Sequence, residues 1–268
     1  MAEAPTTTAE LACVDGRTVP ADEAMIPATD EGLLRGDGAF EVVRVYDGRP
    51  FALSDHLDRL ERSGANLRLA VPRADLETEI PELLAARGGP EFDGCLRIVL
   101  TRGGHRVLLT EPLPPTPDRI RLGVVEYAPT HILDGVKSLS YAANMLASRV
   151  ARERGFDEAL LVTPHGRVLE APTSSIFWVD RDGTLCTPPL DEHILASITR
   201  ARVMEVVPVT ERPCTLDDLH AAREAFLAST TREAQSIAAI EDIELPEGER
   251  THEAMRKVGA RIAAELDA

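Results

Sequence analysis

Three blocks decide how this chain is read. They are Lys137-Ser138-Leu139-Ser140-Tyr141, Gly155-Phe156-Asp157-Glu158-Ala159-Leu160-Leu161, and Gly166-Arg167-Val168-Leu169-Glu170-Ala171-Pro172-Thr173-Ser174-Ser175-Ile176-Phe177. Between the first two, Tyr141 to Arg154 reads as a helix stopped by Gly155. Glu158 to Thr163 reads as a strand, Pro164-His165-Gly166-Arg167 as a turn, and Val168-Leu169-Glu170 as the returning strand. One lysine and one glutamate therefore stand at the ends of regular elements, where a fold can hold reactive groups at fixed separation.

Working outward, 268 residues are enough to bury a full core in one large domain or two modest ones. The 29 basic residues are outnumbered by 45 acidic ones, for a net charge of −16, so neither a nucleic-acid nor a membrane partner is expected. No apolar run reaches the length of a membrane span, and Met1 to Glu10 is small and polar, unlike a secretion signal; it reads as a frayed end. Cys13, Cys95, Cys186 and Cys214 are widely spaced and read as buried thiols of a cytoplasmic protein. The seven histidines show no paired spacing, so no metal site is expected.

Along the chain, Leu11 to Pro20 reads as a hairpin turning at Asp15-Gly16. A glycine-spaced loop, Thr29 to Gly38, feeds a strand from Ala39 to Tyr46. Gly36-x-Gly38 runs into Phe40-Glu41, so no dinucleotide fingerprint is present. A helix is expected from His56, capped by Ser54 or Asp55, with Leu57, Leu60, Leu67 and Leu69 on its apolar side, and a second from Arg73 to Ala86. Strands are expected at Cys95–Thr101, Val107–Thr110 and Ile120–Tyr127. Four prolines within Pro112 to Pro117 stiffen the chain and exclude regular structure, which places an interdomain linker there. The expected division is an N-terminal α/β domain at 1–119 and a larger C-terminal domain at 120–268. Arg200 to Val207 is expected as a helix, and Thr251 to Leu266 as an amphipathic one with Met255, Val258, Ile262 and Leu266 on one side.

The three opening blocks, with His56-Leu57-Asp58-Arg59-Leu60, Leu195-Ala196-Ser197-Ile198-Thr199-Arg200 and Ser229-Thr230-Thr231-Arg232-Glu233, resemble the class IV aminotransferase family over about Val14 to Ile240. The resemblance implies an α/β (α+β), two-domain, D-amino-acid-aminotransferase-like fold, pyridoxal-phosphate fold type IV. It implies pyridoxal 5'-phosphate as cofactor, with Lys137 as the catalytic Schiff-base lysine and Glu170 as partner of the ring nitrogen. It also implies Tyr141 near the phenolic oxygen, and Arg59, Ile198, Thr199, Ser229 and Thr230 around the phosphate. A guanidinium fork and the open N–H groups of a helix N-terminus both suit such an anion. Where relatives carry glycine this chain has Ser197, and the segment between Arg102 and Lys137 is shorter than theirs.

Substrate identity is less legible. Phe40, Val42 and Arg44 alternate onto one strand face, which in the family lines the substrate pocket, and Arg44, Arg97 and Arg106 are the candidates to hold a substrate carboxylate. The lysine context looks closest to the D-amino-acid and lyase subgroups. The expected activity is a ping-pong transfer of an amino group from a D-amino acid or (R)-amine donor to an α-keto acid acceptor, by a homodimer. The alternatives are aminodeoxychorismate lyase and branched-chain L-amino-acid aminotransferase.

Overall fold

Alternating apolar residues and glycine-closed turns build two sheets, each with its own core, in a computed structural model that describes residues 9–267. The expectation of a frayed end falls largely on residues 1–8, outside the described residues. One compact unit takes the chain up to Pro114 and again over Val136–Ser140; the other takes Pro115–Gly135 and everything from Tyr141. The sequence segmentation did not foresee the return of Val136–Ser140.

In the first unit the strands are β1 (Leu11–Val14), β2 (Arg17–Pro20), β3 (Gly38–Tyr46), β4 (Arg49–Pro50), β5 (Gly94–Thr101) and β6 (Arg106–Glu111). The helices are α1 (Glu31–Arg35), α2 (Leu53–Leu67) and α3 (Arg73–Arg87). The strands order as β2-β1-β6-β5-β3-β4. Ala39, Val43 and Val45 of β3 with Leu96, Ile98 and Leu100 of β5 form one sheet face, buried against Leu57 and Leu60 of α2 and Leu76, Ile80 and Leu83 of α3. Alternation puts the even-numbered residues of β3 on the other face. Helix α2 starts at Leu53, not His56, and is not capped by Ser54 or Asp55; its N-cap is Ala52, in the left-handed region at φ 51°. Ser54 instead accepts from Arg73 at 3.2 Å. Gly36, at φ 67°, closes α1 in the conformation that glycine adopts at least cost.

In the second unit the strands are β7 (Ile120–Glu126), β8 (Glu158–Val162), β9 (Arg167–Val168), β10 (Ser175–Val179), β11 (Leu185–Thr187), β12 (Thr210–Glu211), β13 (Cys214–Thr215), β14 (Glu224–Ser229), β15 (Glu233–Ile240) and β16 (Ile243–Glu244). The helices are α4 (Ala142–Glu153), α5 (Ile198–Val206), α6 (Leu216–His220) and α7 (Glu249–Leu266). The sheet runs β12-β11-β10-β14-β15-β7-β8-β9-β13, with β16 on β15. One core gathers Ile120, Leu122, Leu160, Ile176, Trp178, Leu227 and Ile237; a second joins Ala147 and Ala151 of α4 to Ala159, Leu161 and Leu169. Helix α7 buries Thr251, Ala254, Val258 and Ile262 while Met255 is exposed, so its apolar stripe is rotated from the one expected. Its first turn is held by a remote acid, because buried Glu224 accepts from Arg250 N at 3.3 Å and Thr251 N at 2.7 Å. The four cysteines are free and buried. Among the described residues no helix is long and apolar enough to cross a membrane, and no cluster of side chains could hold a metal ion.

Candidate active site

Lys137 belongs to the first unit through its backbone. Phe40 N donates to Lys137 O at 3.0 Å and Leu139 N to Gly38 O at 2.9 Å, an antiparallel bridge centred on Ala39 and Ser138. Lys137 N donates to Ser63 Oγ of α2 at 3.1 Å. With the main chain fixed at both ends, Nζ lies 4.3 Å from the centroid of the Phe40 ring, on the sheet face away from the helices.

On the helix face of the same strand, Glu41 is fully buried. Arg59 grips it through Nε to Oε1 at 2.7 Å and Nη2 to Oε2 at 2.6 Å. His56 Nδ1 lies 2.8 Å from Oε2. Burial alone would raise the Glu41 pKa; the hydrogen bonds and charge of Arg59, then His56, outweigh it and bring the carboxyl down to about 2. Burial lowers the His56 pKa against the pull of Glu41, and the charges of Arg59 and Lys137 add to the lowering. A neutral His56 donates from Nδ1 and presents a bare acceptor at Nε2, a buried atom without a hydrogen-bond partner among the described residues. Arg59, expected at a phosphate, is thus 4% exposed and forked to a carboxylate within its own unit.

The arginines expected near a substrate carboxylate separate by strand register. Val42 pairs with Arg97 and Phe40 with Val99, so Phe40, Val42, Arg44 and Arg97 share the face opposite the helices. Arg97 lies 5.7 Å from the Phe40 ring centroid and pairs with Glu111 at 2.9 Å. Arg44 is buried, with Nη2 on Asp93 at 2.7 Å, Nη1 on Gly94 O at 3.0 Å, and its guanidinium over Tyr46. Arg106 departs from the expectation. It pairs with Leu100, a helix-face residue, and its guanidinium forks onto Glu79 of α3 at 2.5–2.9 Å. One step of register separates it from the face that carries Phe40.

The second unit presents a carboxylate and an anion cradle. Just past β9, half-buried Glu170 accepts from Leu195 N at 3.1 Å. Tyr141 Oη donates to Pro172 O, and Asn144 Nδ2 reaches the same carbonyl at 3.3 Å; both side chains fix the loop that follows Glu170. Tyr141, expected near a cofactor oxygen, therefore has a main-chain partner here. Ser197 is the N-cap of α5, its Oγ accepting from Arg200 N at 3.2 Å, which leaves the N–H groups of Ile198 and Thr199 at the helix mouth outside the helical ladder. The helix begins at Ile198, two residues earlier than expected. It packs on β14, whose last residue, Ser229, carries a buried hydroxyl without a partner among the described residues; Thr230 follows in the turn to β15. Unpaired helix N–H groups with an orphaned buried hydroxyl on a neighbouring element suit a phosphate, and a nearby carboxylate suits a ring nitrogen, so the residues fit pyridoxal phosphate.

Sequence reasoning missed the roles of Glu41, His56 and Ser63. The signal was present: Glu41 alternates with Val43 and Val45 on a buried face, and His56 and Arg59 share a helix side with Leu60. An acid placed there needs a cation, and the i, i+3 pair supplies it.

Comparison with known proteins converges on one family. Residues 38–240 match the family model "Amino-transferase class IV". A putative branched-chain-amino-acid aminotransferase from Methanocaldococcus jannaschii is 35% identical, covering 85% of this chain and 87% of its own. A D-alanine aminotransferase from Listeria monocytogenes is 30% identical, with 88% and 90% covered. Among solved structures, a branched-chain aminotransferase from Thermoproteus uzoniensis with norvaline superposes with a TM-score of 0.87 at 30% identity, covering 95% of each chain. A 4-amino-4-deoxychorismate lyase from Pseudomonas aeruginosa gives 0.79 at 30% identity, covering 96% of this chain and all of the other. The chain belongs to the class IV aminotransferases, enzymes of fold type IV that use pyridoxal 5'-phosphate.

Proposed function

We propose that this aminotransferase moves the amino group of a D-amino acid or (R)-amine to an α-keto acid, with Lys137 as its catalytic amine. The observation that carries the reading is the placement of Lys137: backbone pinned to β3 and Ser63, Nζ over the Phe40 ring. Pyridoxal phosphate, when bound, supplies an aldehyde that condenses with amines and a ring that accepts the electron pair left by a departing α-proton. Lys137 Nζ would hold that aldehyde and would carry a proton to and from the donor's α-carbon, as general base and then acid. Glu170 would be the acidic partner of the ring nitrogen. The N–H groups of Ile198 and Thr199 and the hydroxyls of Ser229 and Thr230 would hold the phosphate, while Tyr141 steadies the loop behind Glu170; Arg59 is engaged by Glu41 instead.

Phe40, Val42 and Arg97 supply the substrate surface. Arg97 is the candidate for a substrate carboxylate because it shares their face and is half-exposed, whereas Arg44 is buried among its partners and Arg106 lies on the helix side. The D-alanine aminotransferase relative supports the D-amino-acid reading. The branched-chain relatives support a second one, a branched-chain L-amino-acid donor. The lyase likeness supports a third, pyruvate elimination from aminodeoxychorismate. A panel of half-reactions with D-alanine, L-leucine and (R)-phenylethylamine decides between donors: bleaching of the bound cofactor by D-alanine or the amine, but not L-leucine, is the expected result. Bleaching by L-leucine alone would overturn the D-preference, and pyruvate release from aminodeoxychorismate without a keto acid would favour the lyase. The working enzyme is a cytoplasmic homodimer on this reading, which sedimentation of the native protein tests.

A further inference from the structure

One ring contact in the second unit involves His193, in the segment that leads into the Ser197 cap of α5. His131 and His193 stack with centroids 3.8 Å apart and planes 27° from parallel. His193 Nδ1 is also 2.6 Å from Asp134 Oδ2. His131 opens the short turn His131–Leu133, and Asp134 closes it. That turn has internal backbone hydrogen bonds, Leu133 N to Thr130 O and Asp134 N to His131 O. Ile132 at its tip is 89% exposed, so it contributes no apolar anchor. The histidine stack and the Asp134 carboxylate fasten the turn to His193.

His193 is itself in an unusual conformation, at φ 63° in the left-handed region. A residue with a side chain visits that region rarely, and when it does, surrounding contacts hold it there. The chain reverses at this point and proceeds directly into Ile194-Leu195-Ala196-Ser197. Leu195 N is the donor to Glu170, and Ser197 is the cap that opens α5. The direction of the backbone leaving His193 therefore governs two groups at once: the N–H that orients the Glu170 carboxylate and the helix mouth.

We infer that His193, clamped between the His131 ring and the Asp134 carboxylate, is a positioning residue for the cofactor site, setting the path of the 193–197 segment so that Glu170 and the N–H groups of Ile198 and Thr199 stand ready before the cofactor arrives. This rests on the assignment of Glu170, Ile198 and Thr199 to the cofactor made above. A preorganised site does not have to order its loop when the ligand binds, so undoing the clamp weakens binding without removing any group that touches the ligand.

Four single variants test the clamp. His193→Asn keeps a residue that tolerates the left-handed backbone but deletes the ring. Asp134→Asn keeps shape and removes charge. His131→Ala deletes the stack, and His131→Phe restores a ring. Equilibrium dialysis of the apo form against pyridoxal 5'-phosphate reads the cofactor dissociation constant. Hydrogen exchange of the 193–199 peptide in the apo form reads segment order, with α7 as the internal control. The expected result is a dissociation constant raised about five- to tenfold in His193→Asn and His131→Ala and less in Asp134→Asn, as the sizes of an aromatic pair and a half-exposed polar contact indicate. Exchange should quicken at 193–199 and stay unchanged in α7, and His131→Phe should lie within about twofold of wild type. Unchanged binding and exchange in His193→Asn and His131→Ala would overturn the clamp, as would faster exchange throughout α7 as well. A wild-type protein that binds no cofactor would overturn the cofactor assignment instead, and the exchange measurement would still decide whether the clamp orders the segment.

Discussion

Replacing Glu41 by glutamine removes the negative charge that a buried arginine and histidine share, and the structure sets the size of the penalty. The carboxyl moves from an ordinary 4.5 to about 2 in the folded protein. At about 1.36 kcal/mol per pKa unit, that is about 3 kcal/mol of stability at pH 7. Because the folded value is depressed, this stability is fully present above pH 4.5 and is lost as the pH falls through 2. At pH 3 roughly half of it remains by the same relation. Glu41→Gln also strands the Arg59 cation in a buried setting, so its cost at pH 7 is about 3–5 kcal/mol. Hydrogen exchange of the α2 peptide, followed through urea at pH 7 and pH 3, measures the opening free energy of the unit concerned. The expected outcome is a large gap between wild type and variant at neutral pH that narrows by about half in acid. A gap below about 1 kcal/mol at pH 7, or one that fails to narrow, would refute the reasoning, since an exposed pair would behave that way.

Other outcomes follow from particular contacts. Lys137→Ala should lower turnover by at least about 10³-fold, with the midpoint of thermal unfolding little changed; undiminished turnover would remove Lys137 from the chemistry. Ser229→Ala should raise the dissociation constant for pyridoxal phosphate about tenfold, the worth of one hydrogen bond to a charged group, and inorganic phosphate should compete less well. Arg97→Ala should raise KM for an amino-acid donor, while Arg106→Ala should leave KM alone and cost about 1–3 kcal/mol in denaturant by orphaning Glu79; steady-state kinetics beside urea titration separates the two. Glu224→Ala should cost about 1–2 kcal/mol through loss of the acceptor for the first turn of α7, seen as faster exchange at 249–254.

Local features were legible and long-range ones were not. The hairpin at Asp15-Gly16, the strand from Ala39 to Tyr46 and the helix ending near Gly155 follow from turn chemistry and spacing, and the structure has them within a few residues. The start of α2 was misplaced because Ser54 and Asp55 look like caps, yet a left-handed Ala52 turns the chain one residue before Leu53. Alternation correctly grouped Phe40, Val42 and Arg44. It could not say which parity of β6 would face α3, because that depends on pairing with β5 across a turn, so the side of the sheet that Arg106 takes was not legible. The partners of Lys137 were illegible for the same reason: Gly38, Phe40 and Ser63 lie 74 or more residues away in sequence, and nothing near the lysine announces them.

The lysine strand has a practical consequence for anyone who would cut the protein in two. Because Val136–Ser140 is entered from Gly135 and left at Tyr141, severing the chain at the proline run does not yield two self-sufficient pieces. A fragment starting at Pro115 would retain Lys137 on an unsupported thread, stripped of its hydrogen-bonding rail. A fragment ending at Pro114 would expose the bare rim of Gly38–Phe40, an invitation to intermolecular β-pairing and precipitation. Co-expression of both fragments, rather than either alone, is the route to a soluble split enzyme.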